Sequence, residues 1–213
     1  MTRLIIIRHA ESAFNLENRI QGHTDSLLTP RGLRQARRLA RRLKTVKIDK
    51  IYSSDLGRAF STTLEILRYK KIPVVRDPRL REIGLGAWEG MTVEEVDRLY
   101  DNGYQKWLKK PSACPIPGCE KISHFRRRIT ERVRQIARAN RGSTVAVVTH
   151  GGAVTALLSD WLGADFDHLL LNFRIDNTAL TVVDETDKRV RLKTVNDTGH
   201  LTDKKGGGVG CEW

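Results

Sequence analysis

Two short apolar segments of the chain each run directly into a histidine. Leu-Ile-Ile-Ile at residues 4–7 is followed by Arg8 and His9. Ser-Thr-Val-Ala-Val-Val-Thr at residues 143–149 is followed by His150. Runs of this kind are typical of buried strands, and ligands of open α/β sheets collect outside the carboxyl ends of their strands. A neutral imidazole at such an edge can attack phosphorus, while a neighbouring guanidinium binds phosphate oxygens bidentately.

A third cation supports this interpretation. Arg58 falls in the first turn of a helix that we expect to follow the strand at residues 48–53, with Ser54-Asp55 as its cap. A helix N-terminus is a ready anion site, because its N–H groups are free and its dipole favours negative charge. Each residue also has an ordinary alternative: a histidine after a strand is often structural, and Arg58 alone could be a surface residue. Two strands that end in histidine, together with Arg58, favour a phosphate site.

The segment at residues 80–90 carries the candidate proton donors. It holds Glu82, Glu89 and three glycines in eleven residues, a composition that does not fit a regular element. A carboxyl group near a phosphate leaving group can protonate the leaving oxygen and later activate water. Both glutamates satisfy that chemistry, and both could equally be solvated loop carboxylates.

Polar loop residues after the first strand are candidate phosphate ligands. Asn15 and Gln21 carry neutral amide donors, and Gly22 allows the backbone to approach a ligand closely. Ordinary loop chemistry explains each of these residues when it is taken alone.

The other elements alternate between helices and strands. Thr29 and Pro30 begin a helix with apolar residues at helical spacing. Thr92, with Glu95 as its capping-box partner, begins a helix over residues 92–108. We expect the segment at residues 92–140, which lies between strands, to form a lid over the site. The further predicted elements are strands at 73–75, 169–173, 178–183 and 190–195, the last ones partly antiparallel, and helices at 123–140 and 153–162.

Length and hydropathy suit one sizeable α/β domain. The chain has 213 residues, of which 39% are hydrophobic, and a mean hydropathy of -0.42. No apolar run is long enough to cross a bilayer, and residues 4–7 are too few for the apolar core of a signal peptide. We expect a cytoplasmic protein with a single domain over residues 1–201 and a flexible Gly- and Lys-rich tail over residues 202–213. Whether it forms a homodimer is left open.

The net charge of +13 favours an anionic ligand. Such a charge can gather small anionic substrates or bind nucleic acid. Much of it lies on helix patterns, as in residues 37–42 and 126–128, where arginines usually form a solvated face. Because no zinc-finger spacing, aromatic RNA-binding signature or long basic tail accompanies these runs, we expect a small-molecule partner and neither nucleic acid nor a membrane.

The cysteines do not predict a metal site or a disulfide framework. There are three, an odd number, in a chain that we expect inside the cell. Cys114 and Cys119 are separated by four residues, and no second Cys/His pair lies nearby in sequence. We therefore expect Cys114 and Cys119 to be isolated thiols in a loop.

Five segments, taken in order, resemble the motif blocks of the histidine phosphatase superfamily, also called phosphoglycerate-mutase-like. The resemblance covers about residues 3–201, and five blocks in the right order are highly specific. A closing run, Asn196-Asp197-Thr198-Gly199-His200-Leu201, is similar to a motif of one branch. The five blocks are Arg8-His9-Ala10-Glu11-Ser12 with Asn15; Gln21-Gly22 with residues 28–36; Tyr52-Ser53-Ser54-Asp55-Leu56 with Arg58; Leu80-Arg81-Glu82 with residues 86–90; and Thr149-His150-Gly151-Gly152.

The resemblance implies a fold and a set of roles. The fold would be a three-layer α/β/α sandwich with a mostly parallel central sheet and a helical lid insertion. His9 would carry the phosphoryl group as a phosphohistidine, and Glu82, rather than Glu89, would protonate the leaving oxygen and then activate water. Arg8, Arg58 and His150 would form the positive pocket, so no metal or other cofactor would be required. Asn15, Gln21 and the backbone near Gly22 and Gly151 would bind the substrate, and His200 is a further candidate contact.

The departures from the family pattern concern the branch. Cofactor-dependent phosphoglycerate mutases carry Glu-Arg-His-Tyr-Gly at the acid site, where residues 82–86 read Glu-Ile-Gly-Leu-Gly. Some phosphoserine-type members have a histidine where Leu85 stands. The sequence is more similar to the monoester phosphatases, among them broad-specificity, metal-independent phosphoserine and α-ribazole phosphatases. The alternatives are mutase-type phosphoryl transfer and a non-catalytic protein that binds phosphate or nucleic acid.

Overall fold

A six-stranded sheet places the two strands that end in histidine side by side. The computed structural model describes residues 1–113, 115–186 and 188–202. The sheet order is β3-β2-β4-β1-β5-β6. The strands β1, β2, β3 and β4 run parallel to one another, whereas β5 is antiparallel to both of its neighbours. The predictions of a mostly parallel sheet and of a partly antiparallel end are therefore confirmed. The strands are β1 (Thr2–Arg8), β2 (Lys50–Ser53), β3 (Val74–Arg76), β4 (Thr144–Thr149), β5 (Leu180–Glu185) and β6 (Val190–Asp197).

Helices cover both faces of this sheet, so the expected three-layer α/β/α sandwich is confirmed. α2 and α3 pack on one face, and α6 and α7 pack on the other. The helices of the described residues are α1 (Ala13–Leu16), α2 (Pro30–Leu43), α3 (Gly57–Leu67), α4 (Val93–Leu99), α5 (Gly103–Lys109), α6 (Ile122–Ala139), α7 (Gly151–Leu162) and α8 (Phe166–Asn172).

β1 is buried on both faces, which explains its unbroken apolar run. Leu4 and Ile6 join the core beneath α6 and α7, whereas Ile5 and Ile7 join the core beneath α2 and α3. All four side chains are fully buried, and burying a side chain of this size contributes about 1.5–3 kcal/mol. The strand therefore holds its carboxyl end, and the Arg8-His9 pair that follows, in a fixed position.

The start of α2 agrees with the sequence interpretation. The Thr29 side chain accepts a hydrogen bond of 2.9 Å from the Gly32 N–H, and Pro30 occupies the first helical position. The capping box of Thr92 and Glu95 is also present at the start of α4.

Two predicted elements are wrong. The single helix over residues 92–108 is broken into α4 and α5, because Asp101 and Asn102 adopt left-handed backbone conformations with φ of 50° and 56°. The strand predicted at residues 169–173 is the helix α8. The side chain of Asp165 caps that helix through the His168 N–H at 2.8 Å, and Phe166 is buried in the core. A short apolar run such as these three leucines occurs in helices as well as in buried strands, so local composition could not decide.

The expected lid segment, residues 92–140, contains two kinds of element. α4 and α5 pack around a small separate cluster whose buried residues are Trp88, Val96 and Ile116. α6 instead contributes Phe125 and Ile129 to the main core over the sheet. Within the expected lid segment, only α4, α5 and the loop that follows them therefore pack apart from the main core.

Two further expectations concern membranes and the end of the chain. No helix of the described residues is both long and apolar enough to cross a membrane. The predicted flexible tail lies outside the described residues from position 203 onward.

Candidate active site

The two histidines at the strand ends meet, as the sequence predicted. Because β1 and β4 are parallel neighbours with Arg8 opposite Thr149, the residues that follow them emerge together. The His9 N–H donates to the Thr149 carbonyl oxygen at 2.9 Å. The ring centroids of His9 and His150 are 5.2 Å apart in an edge-to-face arrangement, and the two residues are 3% and 0% exposed.

One hydrogen bond decides which nitrogen of His9 is free to react. Nδ1 of His9 lies 2.7 Å from the carbonyl oxygen of Ala10. A carbonyl oxygen only accepts hydrogen bonds, so Nδ1 must carry the proton. The lone pair of the neutral ring is then on Nε2, which is the nitrogen that a nucleophilic histidine needs.

The charges around the two histidines keep both rings neutral. Burial lowers the pKa of His9 well below its ordinary value of 6.5, and the positive charges of Arg58 and Arg8 lower it further. Burial likewise lowers the pKa of His150, with added repulsion from Arg58, His9 and Arg8. A neutral imidazole beside two guanidinium groups is both nucleophilic and attractive to an anion.

Both arginines line the cavity in front of His9, and each has one buried donor without a hydrogen-bond partner. Arg8 is the last residue of β1. Arg58, which is 1% exposed, lies in the first turn of α3 as predicted. Their terminal nitrogens donate to carbonyl oxygens, including Ile175 for Arg8 and Gly22 at 2.8 Å for Arg58. The Nε atoms of both are buried without a hydrogen-bond partner. Buried donors are nearly always satisfied, so these two are suited to ligand oxygens.

A loop residue far along the chain holds Arg58 in place. One oxygen of Asp25 lies 3.2 Å from a terminal nitrogen of Arg58 and also accepts from the Arg58 backbone N–H at 3.2 Å. The other oxygen accepts from the Gly57 N–H. The predicted cap at Ser54-Asp55 is therefore wrong. The helix α3 begins at Gly57, and the carboxylate of Asp25, from the loop between α1 and α2, caps it.

Glu82, the acid that the family resemblance selects, faces the same cavity as His9. Its Oε2 accepts a hydrogen bond of 2.9 Å from the Gly152 N–H in the first turn of α7. A side chain on Gly152 would displace the Glu82 carboxylate, since its Cβ would stand 2.5 Å from Oε1 of Glu82. The Thr149 hydroxyl donates to the Leu80 carbonyl oxygen at 2.7 Å. The loop that carries Glu82 is thus tied to the end of β4.

Glu89 is instead a structural carboxylate. It accepts from the N–H groups of His23 at 2.9 Å, Thr24 at 2.9 Å and Leu85 at 2.8 Å, and from the Thr24 hydroxyl at 2.9 Å. Burial alone would raise the pKa of Glu89, but these hydrogen bonds outweigh it and lower the pKa below its ordinary value. With its oxygens fully used, Glu89 fastens the loop at residues 21–24 to the turn at residues 84–90.

The phosphate cavity has a volume of about 430 Å³ and is lined by most of the predicted residues. His150 is fully buried behind His9. Gly22 lines the adjoining cavity instead, with φ of 53° and no space for a side chain beside Glu89. The predicted residues on the wall of the phosphate cavity are Arg8, His9, Gln21, Arg58, Glu82 and Gly151.

Two predicted substrate contacts lie away from the cavity wall. The Asn15 side-chain oxygen accepts from the Ser12 N–H at 3.2 Å and from Asn177 at 3.4 Å. The Nε2 atom of His200 lies 3.0 Å from the Thr178 hydroxyl. That hydroxyl donates to the Asn177 carbonyl oxygen at 2.7 Å, so it accepts from His200. Both residues support the loop behind His9.

Sequence reasoning missed several residues that position the site. Ser54 places its hydroxyl 2.8 Å from Nε2 of His150. Asn177 donates to the His9 carbonyl oxygen at 3.0 Å, and His23 lies with Nε2 2.9 Å from the carbonyl oxygen of Glu82. The position of Ser54 at the end of a strand was an available signal, because β2 lies beside β4. Nothing local to Asn177 or His23 distinguishes them from other loop residues.

The described residues contain no group of three His, Cys, Asp or Glu side chains arranged to hold a metal ion. The positive charge that faces the cavity comes from Arg8, Arg58 and Arg174, of which Arg174 is exposed and paired with Asp176 at 2.7 Å.

The buried histidines predict a pH-dependent stability. Burial lowers the pKa of His200 to about 4, and the pKa values of His9 and His150 shift in the same direction. Below pH 6.5 the unfolded chain therefore takes up protons that the folded chain does not. The free energy of unfolding should consequently decrease as the pH is lowered. Each such histidine contributes a slope of up to about 1.4 kcal/mol per pH unit.

Urea unfolding between about pH 7 and pH 5 measures this slope. His200→Asn should lose less stability on acidification than the wild type, whatever its stability at neutral pH. Parallel pH profiles for the two proteins would contradict the assignment of His200.

Comparisons with known proteins agree with this geometry. The sequence profile of the Histidine phosphatase superfamily (branch 1) matches residues 4–198. Phosphoserine phosphatase 1 of Hydrogenobacter thermophilus is 34% identical over 201 residues, which cover 94% of this chain and 95% of that protein.

Two solved structures share the whole fold. YhfR of Bacillus stearothermophilus is 32% identical with a TM-score of 0.90 and covers 95% of this chain and 100% of its own. A phosphoserine phosphatase mutant of Entamoeba histolytica, in complex with phosphoserine, is 32% identical with a TM-score of 0.81 over the same shares. The chain therefore belongs to branch 1 of the histidine phosphatase superfamily, and the prediction of a phosphomonoester hydrolase is confirmed.

Proposed function

We propose that the protein hydrolyses small-molecule phosphate monoesters through a phosphohistidine on His9, with Glu82 as proton donor and then base. The observation that carries the proposal is the set of unsatisfied donors around a neutral nucleophile. The Nε atoms of Arg8 and Arg58 are buried and unpartnered, and both residues line the cavity that His9 faces. A phosphate group bound there would satisfy both donors while its phosphorus faces the imidazole.

In the first step, Nε2 of His9 attacks phosphorus. The N–P bond forms as the bond to the leaving oxygen breaks, and the proton of Glu82 goes to that oxygen. Arg8 and Arg58 stabilise the charge on the three transferring oxygens, and His150 packs behind His9. Burial lowers the pKa of both arginines, so an anionic ligand would compensate charges that the protein leaves only partly balanced.

In the second step, water replaces the alcohol. Glu82 accepts a proton from the water while the water oxygen attacks phosphorus. The N–P bond breaks, phosphate leaves, and His9 is neutral again. The hydrogen bond from Nδ1 of His9 to Ala10 keeps the same tautomer ready for the next cycle. Glu82 thus returns to its protonated form at the end of each turnover.

The basic surface supports a small anionic substrate rather than nucleic acid. Many of its arginines are engaged in ion pairs, among them Arg128 with Glu120, Arg132 with Asp77 and Arg134 with Asp160 along α6. Duplex binding that weakens steeply with added salt would favour the nucleic-acid alternative instead.

We also propose that residues 1–201 act as one domain.

Phosphate release in the presence of EDTA tests the function. We expect the wild type to release phosphate from para-nitrophenyl phosphate and from at least some of phosphoserine, 3-phosphoglycerate and sugar phosphates, at rates that EDTA does not change. EDTA should have no effect because arginine side chains supply the positive charge. Exchange between phosphoglycerate isomers without phosphate release would identify a mutase, and binding without either reaction would identify a non-catalytic member.

A further inference from the structure

A second, larger cavity adjoins the phosphate cavity under the lid. Its volume is about 740 Å³, and it shares Gln21, Glu82 and Gly152 with the phosphate cavity. Glu82 is the group that we propose to protonate the leaving oxygen. If so, the remainder of the substrate extends from Glu82 into this second cavity, which we call the lid cavity. The inference below rests on the proposed function in this respect.

The walls of the lid cavity are mainly apolar and aromatic. The rings of Tyr104 and Trp107 on α5 stack with centroids 5.4 Å apart and an interplanar angle of 20°. Leu85, Trp88 and Phe166 line other parts of the same cavity. Apolar, ring-shaped surfaces of this kind stabilise a flat or elongated apolar group by burying it.

The charged residues of the lid cavity are not equally available. Glu120 accepts two hydrogen bonds from Arg128, at 3.0 and 2.7 Å. Arg19 is paired with Glu17 at 2.9 Å and with Glu95 at 3.3 Å. A cationic group on the substrate would therefore find Glu120 already neutralised.

Arg126 differs from these residues. Its guanidinium donates to the Ser159 hydroxyl at 3.0 Å and lies 5.5 Å from the centre of the Phe166 ring. No carboxylate within the part of the chain that the structure describes forms an ion pair with it. Arg126 thus brings a half-buried positive charge, which only neutral groups hold in place, to the wall of the lid cavity. Lys121 also lines this cavity, but its side chain is exposed.

The position of Arg126 sets the length of a ligand that reaches both cavities. Ser159 lies eight residues after Gly151 on α7, and a rise of 1.5 Å per residue puts it about 12 Å from the phosphate end of that helix. In phosphoserine the carboxylate is separated from the ester oxygen by only two carbon atoms, so it cannot reach Arg126 while its phosphate lies at His9.

We propose that the preferred substrate is a phosphate monoester of an elongated, mainly apolar alcohol with a carboxylate at its far end, and that Arg126 binds this carboxylate. The apolar body would lie against Tyr104 and Trp107, and the ester oxygen would lie at Glu82. Arg126 is then a specificity residue, remote from the bonds that break.

A matched pair of esters tests the proposal. Biphenyl-4-yl phosphate and its 4′-carboxy derivative release phenols of closely similar basicity and differ only in the remote anion. For the wild type we expect kcat/KM to be about 10- to 100-fold higher for the carboxylate, which corresponds to a charge-assisted hydrogen bond in a partly shielded site. Arg126→Met keeps an unbranched apolar side chain and removes the charge. It should bring the ratio of the two kcat/KM values close to one.

Two further variants serve as controls. Arg127→Met removes an exposed arginine from the next position of α6 and should keep the wild-type ratio. Arg126→Lys should restore part of the preference, which separates loss of charge from a general disturbance of the lid.

The outcomes separate the two proposals. Hydrolysis of both esters without a preference for the carboxylate would overturn the role of Arg126 and leave the phosphatase function standing. A preference that survives in Arg126→Met would also overturn it. If no monoester is hydrolysed, including para-nitrophenyl phosphate, the proposed function fails and this inference fails with it.

Discussion

His9→Ala should abolish hydrolysis of every phosphate monoester, with kcat/KM falling by at least about 10⁴-fold. The reason is that no neighbouring group can replace the nucleophile. His150 is fully buried and its Nε2 lies 2.8 Å from the Ser54 hydroxyl, so it cannot take over the attack. The loss should appear in kcat for all substrates alike, because the phosphoryl group no longer has an acceptor.

The fold should survive this substitution. The removed ring is neutral, and its hydrogen bond from Nδ1 joins it only to the carbonyl oxygen of the adjacent Ala10. His124→Ala, at an exposed position of α6, is the matched control and should keep wild-type activity. A phosphorylated intermediate trapped with labelled substrate should be present in the wild type and absent from His9→Ala. A phosphorylated His9→Ala protein would place the nucleophile elsewhere.

Glu82→Gln should slow hydrolysis according to the leaving group. For alkyl phosphates, whose alkoxide leaves poorly without a proton, we expect kcat to fall about 10²- to 10⁴-fold. For para-nitrophenyl phosphate the leaving group needs little protonation, so the first step should change far less. The glutamine keeps the size of the side chain and can still accept from the Gly152 N–H, which at 2.9 Å holds the carboxylate in the wild type.

Glu89→Gln is the matched control, because Glu89 lies in the same turn and differs in role. Its carboxylate accepts four hydrogen bonds that fasten the loop at residues 21–24. An amide replaces one acceptor by a donor, so we expect lower stability and a similar loss of activity for alkyl and aryl esters. Equal slowing of both ester classes by Glu82→Gln would remove Glu82 from the role of acid.

Local sequence predicted the elements that depend on neighbouring residues. The apolar run of β1, the cap at Thr29 and the capping box at Thr92 all follow from contacts within a few positions, and the structure contains each of them. Prediction was wrong where two local structures satisfy the same residues. The leucines of residues 169–171 fit a strand or a helix, and only the Asp165 cap and the burial of Phe166 favour the helix.

The sequence alone predicted which groups the candidate site contains: an imidazole, two guanidinium groups and a carboxyl group, carried at strand ends, a helix start and a loop. The tertiary structure decided which carboxyl group faces the nucleophile and what holds each cation. Glu82 meets Gly152 across 70 positions, Arg58 meets Asp25 across 33, and His150 meets Ser54 across 96. Such contacts depend on the order of strands in the sheet, which no local pattern encodes. Glu82 and Glu89 are therefore equivalent in local chemistry; the family resemblance selects Glu82, and the fold places Glu82 at the cavity and Glu89 in a structural role.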